Sequence, residues 1–248
     1  MKKIVLLIHG FGGTPEDLGW VAAGLEDRGT EVTAPLLPGH GTNVKDLQKT
    51  TFQDWYLEVE KQYRRLKQTN KAVHVVGFSM GGTLALRLAQ LHDPASVTAI
   101  AAPVYLHSFF PFEATDWGVL LVPGLRFLHP YHPMCEPDPV SRETAPSSGY
   151  CDYQPLHAIN SFLRGMKMVR RNLRAIKSPV LVLQSPEDKT VLFRNAWAIV
   201  SGVSSDRRSL EIMRVRNLNG SAHMLPTHLE TRERVQRIVS RFIYNEDL

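Results

Sequence analysis

The chain has 248 residues, 43% of them hydrophobic and 21% charged, the balance of an ordinary globular protein, which excludes a disordered or fibrous chain. That length exceeds one typical domain and falls short of two, so a single core carrying a sizeable insertion fits best. The net charge of +5 is too small and too diffuse to argue for nucleic acid, and two cysteines, Cys135 and Cys151, cannot build a disulfide framework or a four-ligand zinc site.

Met1-Lys2-Lys3 is followed by five apolar residues, Ile4 to Ile8, and then by His9-Gly10-Phe11-Gly12-Gly13. The run is too short for a signal peptide and meets no cleavage site, so it reads as a buried strand. Trp20, Val21 and Leu25 predict a helix over 14–28, and residues 31–34 a second strand. Phe52, Trp55, Val59, Tyr63 and Leu66 recur at three- and four-residue spacing, which predicts a helix over 52–68. Residues 72–76 form another apolar strand, and Gly-rich sequence opens a helix over 83–91. Further strands are expected over 97–102, 179–184 and 210–215, and a last helix over 230–244. Strands this apolar, alternating with helices, imply an α/β architecture: a mostly parallel sheet covered on both faces. No stretch approaches the roughly 18 apolar residues of a membrane span, so the chain reads as soluble and cytoplasmic.

The alternation breaks over 103–177. This stretch holds Phe109, Phe110, Phe112, Trp117, Leu120, Leu121, Phe127 and Leu128. It closes on a helical pattern (Phe162, Met166, Val169, Leu173, Ile176) whose other face carries Arg164, Lys167, Arg171 and Arg174. It reads as an insertion and not as an independent domain, and its basic face as solvated surface or a weak docking face for anionic lipid.

The strongest chemical signal is Gly77-Phe78-Ser79-Met80-Gly81-Gly82, placed between a strand and a helix. That context marks a nucleophile elbow, in which a sharp turn holds the serine in a strained conformation and only glycine leaves room for the neighbouring chain. A serine needs a base, and the base a carboxylate, in the chain order Ser, acid, His. His223 follows the later strands in a loop; His228, near the last helix, reads as a solvated surface histidine. Glu187 and Asp188 both follow the strand at 179–184. Asp188 is the better acid, because the turn Ser185-Pro186-Glu187-Asp188 would aim its fourth residue back across the sheet edge. The oxyanion needs two backbone N–H groups, expected from Met80 and Phe11. His40 is expected to brace its loop by hydrogen bonds, and Cys135 and Cys151 to be free thiols.

With these residues in place the chain resembles the α/β-hydrolases, and most of all small bacterial carboxylesterases and monoacylglycerol lipases. The matching motifs are residues 9–13, Leu37-Pro38-Gly39-His40-Gly41-Thr42, Asp54-Trp55, the elbow at 77–82, Pro186-Glu187-Asp188 and Ser221-Ala222-His223. The likeness spans nearly the whole chain and is weakest over 103–177. Many relatives carry glycine where Ala222 stands, and the leading strands of larger relatives are not expected here. The resemblance implies Ser79, Asp188 and His223 as the triad, Phe11 and Met80 as the oxyanion hole, and no cofactor or metal. It also implies a core of 1–102 and 178–248 under a cap of 103–177. The expected activity is serine carboxylic-ester hydrolysis, with a small-molecule ester as partner, neither nucleic acid nor integral membrane association, and at most weak lipid-surface contact through the cap. The apolar insertion predicts short- to medium-chain acyl esters, monoacylglycerols among them. A thioesterase or carbon–carbon bond hydrolase on the same triad, or a ligand-binding module without chemistry, are the alternatives.

Overall fold

The structure, a computed structural model, describes residues 3–69, 72–109, 112–114, 117–134, 137–149 and 152–247. In chain order, β1 (Ile4–Ile8), α1 (Gly19–Glu26), β2 (Glu31–Thr33), α2 (Val44–Gln48), α3 (Phe52–Lys67), β3 (Val73–Phe78), α4 (Met80–Leu91) and β4 (Ser96–Ile100) lead to the insertion. The insertion holds two hairpins, β5 (His107–Phe109) with β6 (Phe112–Ala114) and β7 (Tyr131–Pro133) with β8 (Tyr153–Pro155). It also holds helices α5 (Val122–Leu128), α6 (Pro139–Thr144) and α7 (Leu156–Arg171). Then β9 (Val180–Gln184), α8 (Arg194–Gly202), β10 (Arg208–Ile212) and α9 (Arg232–Tyr244) complete the core.

Six strands pair in the order β10-β9-β4-β3-β1-β2, every pair parallel. The continuous apolar strands follow from a sheet covered twice, since successive side chains point to opposite faces. Ile4, Leu6 and Ile8 enter one core with Trp55, Val59, Leu84, Leu88 and Met166, under α3, α4 and α7. Val5 and Leu7 enter the other with Val21, Leu25, Val235, Val239 and Phe242, under α1 and α9. Each such side chain taken out of water contributes roughly 1.5–3 kcal/mol, so the two cores set the register of every strand.

Several boundaries differ from the sequence expectation. The helix expected over 14–28 is a 3₁₀ turn, Pro15–Leu18, followed by α1 alone. Strand β3 runs on through Phe78, and α4 starts at Met80 rather than 83, leaving Ser79 as the whole turn. β10 ends at Ile212, and α9 starts at Arg232. The closing helix of the insertion ends at Arg171; Leu173 lies in a 3₁₀ turn beyond it, yet Leu173 and Ile176 are both buried in the first core. Among the described residues no helix is long and apolar enough to cross a membrane.

Candidate active site

Ser79 has φ 52° and ψ −119°, a positive-φ conformation that residues other than glycine rarely adopt, which costs about 1–3 kcal/mol and persists only where the surroundings impose it. They do. Its N–H donates to the Ile100 carbonyl at 2.8 Å, and its own carbonyl accepts from the N–H groups of Gly82 (2.9 Å) and Thr83 (3.2 Å), which starts α4. The glycines are steric necessities: a Cβ on Gly77 would stand 2.1 Å from the Gly81 carbonyl oxygen, and one on Gly81 2.0 Å from that of Ile8. The serine hydroxyl is thus presented at the carboxyl edge of the sheet, beside the N-terminus of a 12-residue helix.

His223 sits in the loop after β10. Its Nε2 lies 2.9 Å from Ser79 Oγ and its Nδ1 2.8 Å from Asp188 Oδ2. A carboxylate accepts, so Nδ1 donates to it and Nε2 is left to accept the serine proton. Asp188 occupies the turn after β9, where its Oδ1 accepts from the N–H groups of Thr190 (2.7 Å) and Val191 (2.8 Å). Oδ2 accepts from Gln184 Nε2 at 2.8 Å as well as from His223. Four donors converge on a carboxylate whose side chain is out of solvent, the number its two oxygens can use. Glu187 turns the other way, to Arg214 (3.1 Å) and to the Val215 N–H (3.1 Å). Partial burial pushes its carboxyl up, and the Val215 N–H and Ser185 hydroxyl outweigh that and leave it below the usual range.

Met80 follows Ser79 directly, and Gly10, next to Phe11, approaches the elbow so closely that a Cβ there would lie 3.4 Å from Ser79 Cβ. Among the described residues neither the Phe11 nor the Met80 backbone N–H has an acceptor. The loop that carries Phe11 is held by its side chains. The Phe11 ring stacks on Phe162 (6.2 Å, 7°) and meets Trp55 edge-on at 5.7 Å. His9 Nε2 accepts from the Leu37 N–H at 3.0 Å, so Nδ1 donates to the Gly10 carbonyl at 2.9 Å. Burial, then the neighbouring His40, lowers its pKa to about 3, so the ring is a neutral strut. His40 is also lowered by burial, to about 4, and its Nδ1 bonds the Pro38 carbonyl at 3.0 Å. The Trp55 indole N–H reaches that same carbonyl at 3.1 Å.

Parts of the arrangement lie beyond what the sequence pattern signalled. Gln184, fully buried at the end of β9, holds Asp188; a polar residue closing an apolar strand is the one hint of it. Residues 141–148 of the insertion clasp both site loops. Ser148 Oγ accepts from the Thr14 N–H (2.8 Å), and its N–H donates to Asp17 (2.9 Å). On the other side the carbonyls of Thr144 and Pro146 take hydrogen bonds from Leu229 N–H (2.9 Å) and Thr227 Oγ1 (2.6 Å). His228 corrects its expectation: it is fully buried and precedes the last helix, bonded to the Asn217 carbonyl (3.0 Å) and the Glu230 N–H (3.1 Å). Of the insertion's apolar residues, Leu121, Phe127 and Leu128 are exposed, while Phe110, Cys135 and Cys151 lie outside the described residues.

Three comparisons bear on this geometry. A family model described as serine aminopeptidase, S33, matches residues 1–225. A thermostable monoacylglycerol lipase of Bacillus sp. (strain H-257) is 36% identical over 214 residues, 86% of this chain and 80% of the relative. A carboxylesterase of Bacillus subtilis (strain 168) is 27% identical over 210 residues, 84% of this chain and 81% of that one. In fold, the chain superposes on a structure from a study of LipS and LipT, two metagenome-derived lipolytic enzymes, with a TM-score of 0.81 at 24% identity, covering 99% of this chain and 95% of that one.

Proposed function

The chain belongs to the serine aminopeptidase, S33, family, has the α/β-hydrolase fold and is a serine carboxylic-ester hydrolase; we propose that Ser79 is its nucleophile, His223 its general base and Asp188 the carboxylate that orients the base. The observation that carries this reading is the unbroken chain from Ser79 Oγ through His223 to Asp188, at 2.9 and 2.8 Å, starting from a serine in a strained backbone conformation.

In this mechanism His223 Nε2 takes the hydroxyl proton as Ser79 Oγ attacks the ester carbonyl carbon. The N–H groups of Phe11 and Met80 hold the tetrahedral oxyanion, the Met80 donor strengthened by its place at the helix N-terminus. Collapse breaks the acyl–oxygen bond, and the imidazolium returns its proton to the leaving alcohol. Water, deprotonated by the same ring, then cleaves the acyl-enzyme and restores Ser79. Asp188 stabilises the imidazolium without taking its proton. No step requires a metal or cofactor.

The proposed substrates are short- to medium-chain acyl esters, monoacylglycerols included. The lipase relative and the apolar insertion support this. Residues 103–177 act as the cap, over a core of 1–102 and 178–248, and exposed Leu121, Phe127 and Leu128 suit it to weak contact with a lipid surface. We propose a cytoplasmic enzyme, in which Cys135 and Cys151 would stay free thiols. A panel of p-nitrophenyl esters from acetate to octanoate, with acyl-CoA alongside, tests the reading. Each buried methylene contributes about 0.8 kcal/mol, so kcat/KM should rise roughly tenfold for two methylenes until the pocket ends. A series flat from acetate to octanoate would remove the acyl preference; turnover of acyl-CoA alone would make the enzyme a thioesterase.

A further inference from the structure

A cavity of about 380 Å³ lies in the insertion, between one face of α7, the corner formed by Leu120 and Pro123, and residues 104–106 as they leave β4. Its lining includes none of Ser79, Asp188, His223, Phe11 or Met80. One wall is anchored to the core, because the buried Asn195 side-chain oxygen accepts the N–H groups of Val104 (2.8 Å) and Tyr105 (3.0 Å). The opposite wall is a stripe of α7. Asn160, Leu163, Arg164, Lys167 and Arg170 fall at helical spacing and run along about 15 Å of the helix axis.

Three polar side chains along the α7 stripe, Asn160, Arg164 and Lys167, face this cavity. Asn160 is 3% exposed and lines the cavity, yet its side-chain amide has no hydrogen-bond partner among the described residues. Its amide atoms are open to the cavity, where a ligand can meet them. Arg164 and Lys167 are exposed and form no ion pair among the described residues, and the Arg170 guanidinium lies 4.5 Å from the Tyr105 ring centre. Among the described residues no aspartate or glutamate lines the cavity. Cations along one edge, an unpaired amide and apolar walls of Val104, Leu120 and Leu163 complement an anionic head on an apolar chain. A carboxylate suits the head: Asn160 and Arg164 are neighbours at i and i+4, and its two oxygens can accept from the amide N–H and the guanidinium fork together.

We infer that this cavity is a second binding site, for a medium-chain fatty acid, whose carboxylate is held by the Asn160 amide and the Arg164 guanidinium and whose chain lies against Leu163, Leu120 and Val104. That this acid is the enzyme's own product rests on the ester-hydrolase reading; the charge pattern of the cavity does not. The acid released at Ser79 would then bind the insertion without occupying the ester site.

The test is calorimetric titration of sodium octanoate into protein whose Ser79 has been capped by an alkyl fluorophosphonate, so that the ester site is filled, with octan-1-ol as the uncharged control. Octanoate should bind the capped protein more tightly than octanol, and Kd should rise at least tenfold in Arg164→Glu and in Asn160→Leu. Arg164 is exposed, so its variant decides the matter should Asn160→Leu fail to fold. Loss of octanoate binding on capping, equal affinity for octanol, or a Kd unchanged in Arg164→Glu would each overturn the site. If the fluorophosphonate does not react, the triad reading fails separately, and the same variants are titrated uncapped with the same criteria.

Discussion

Gln184 donates its side-chain amide to Asp188 Oδ2, the same oxygen that accepts from His223 Nδ1. The glutamine is fully buried and bonds the Val191 carbonyl as well, at 3.1 Å, so the rotamer of the acid is set from behind by the last residue of β9. Replacing Gln184 with Leu removes a hydrogen bond to a charged group, worth about 1.5–3 kcal/mol. The expected result is a kcat lowered about tenfold or more with KM nearly unchanged, read from steady-state kinetics on p-nitrophenyl butanoate. A wild-type kcat would show that the backbone N–H groups of Thr190 and Val191 suffice to hold the carboxylate.

The neighbouring acids should separate cleanly. Asp188→Asn leaves the imidazole in the wrong tautomer and should lower kcat by about 10⁴. Glu187→Gln loses a partly exposed contact to Arg214 and should leave kcat within about threefold, with stability changed by less than about 1 kcal/mol. Opposite outcomes for the two variants would transfer the role to Glu187.

Backbone strain at Ser79 predicts a gain of stability on its removal. Ser79→Gly and Ser79→Ala should both be inactive, but only glycine adopts a positive φ without a Cβ penalty. Ser79→Gly should therefore be the more stable of the two by about 1 kcal/mol in urea unfolding. Equal midpoints would mean that the elbow stores no strain.

Three buried histidines make stability depend on pH. Burial lowers His9 to about 3 and both His40 and His74 to about 4, against an ordinary value of about 6.5. The unfolded chain binds these protons below about pH 6.5 and the folded chain does not, so stability is lost as pH falls from there toward 4. Each histidine adds about 1.4 kcal/mol per pH unit to that slope. His74, bonded through Nδ1 to Ser96 Oγ at 2.8 Å, stands on β3 five residues before Ser79. His74→Leu should reduce the slope between pH 6 and 5 by about one proton, and an unchanged slope would place its pKa near 6.5 in the folded chain as well.

What the sequence made legible was local. β1, β3, β4 and β9 stand out because burial on both faces leaves them mostly apolar, with His74, Ser96, Thr98 and Gln184 as the polar exceptions, and α3 and α9 because each has one apolar stripe. Ser79 stands out because the sterics of its turn demand glycines at fixed offsets. The choice between Glu187 and Asp188 is different in kind: adjacent residues on a turn point apart, and only the tertiary positions of His223 and Arg214 say which faces which. The burial of His228 escapes the sequence for the same reason, since the Asn217 carbonyl that its ring bonds comes from a loop whose approach no periodicity announces. The short helices and hairpins of the insertion left no usable pattern, being too brief to repeat one.

The clasp formed by residues 141–148 limits how this enzyme can be recombined with its relatives. Its hydrogen bonds reach Thr14 and Asp17, just after the Phe11 loop, and Thr227 and Leu229, just after the His223 loop. A graft that exchanged the whole insertion would therefore unpin both loops at once, and would fail for reasons unrelated to the substrate its new residues select. Crossovers confined to the stretch before Asp138 keep that brace native, so substrate range can be shuffled there while the chemistry stays in place.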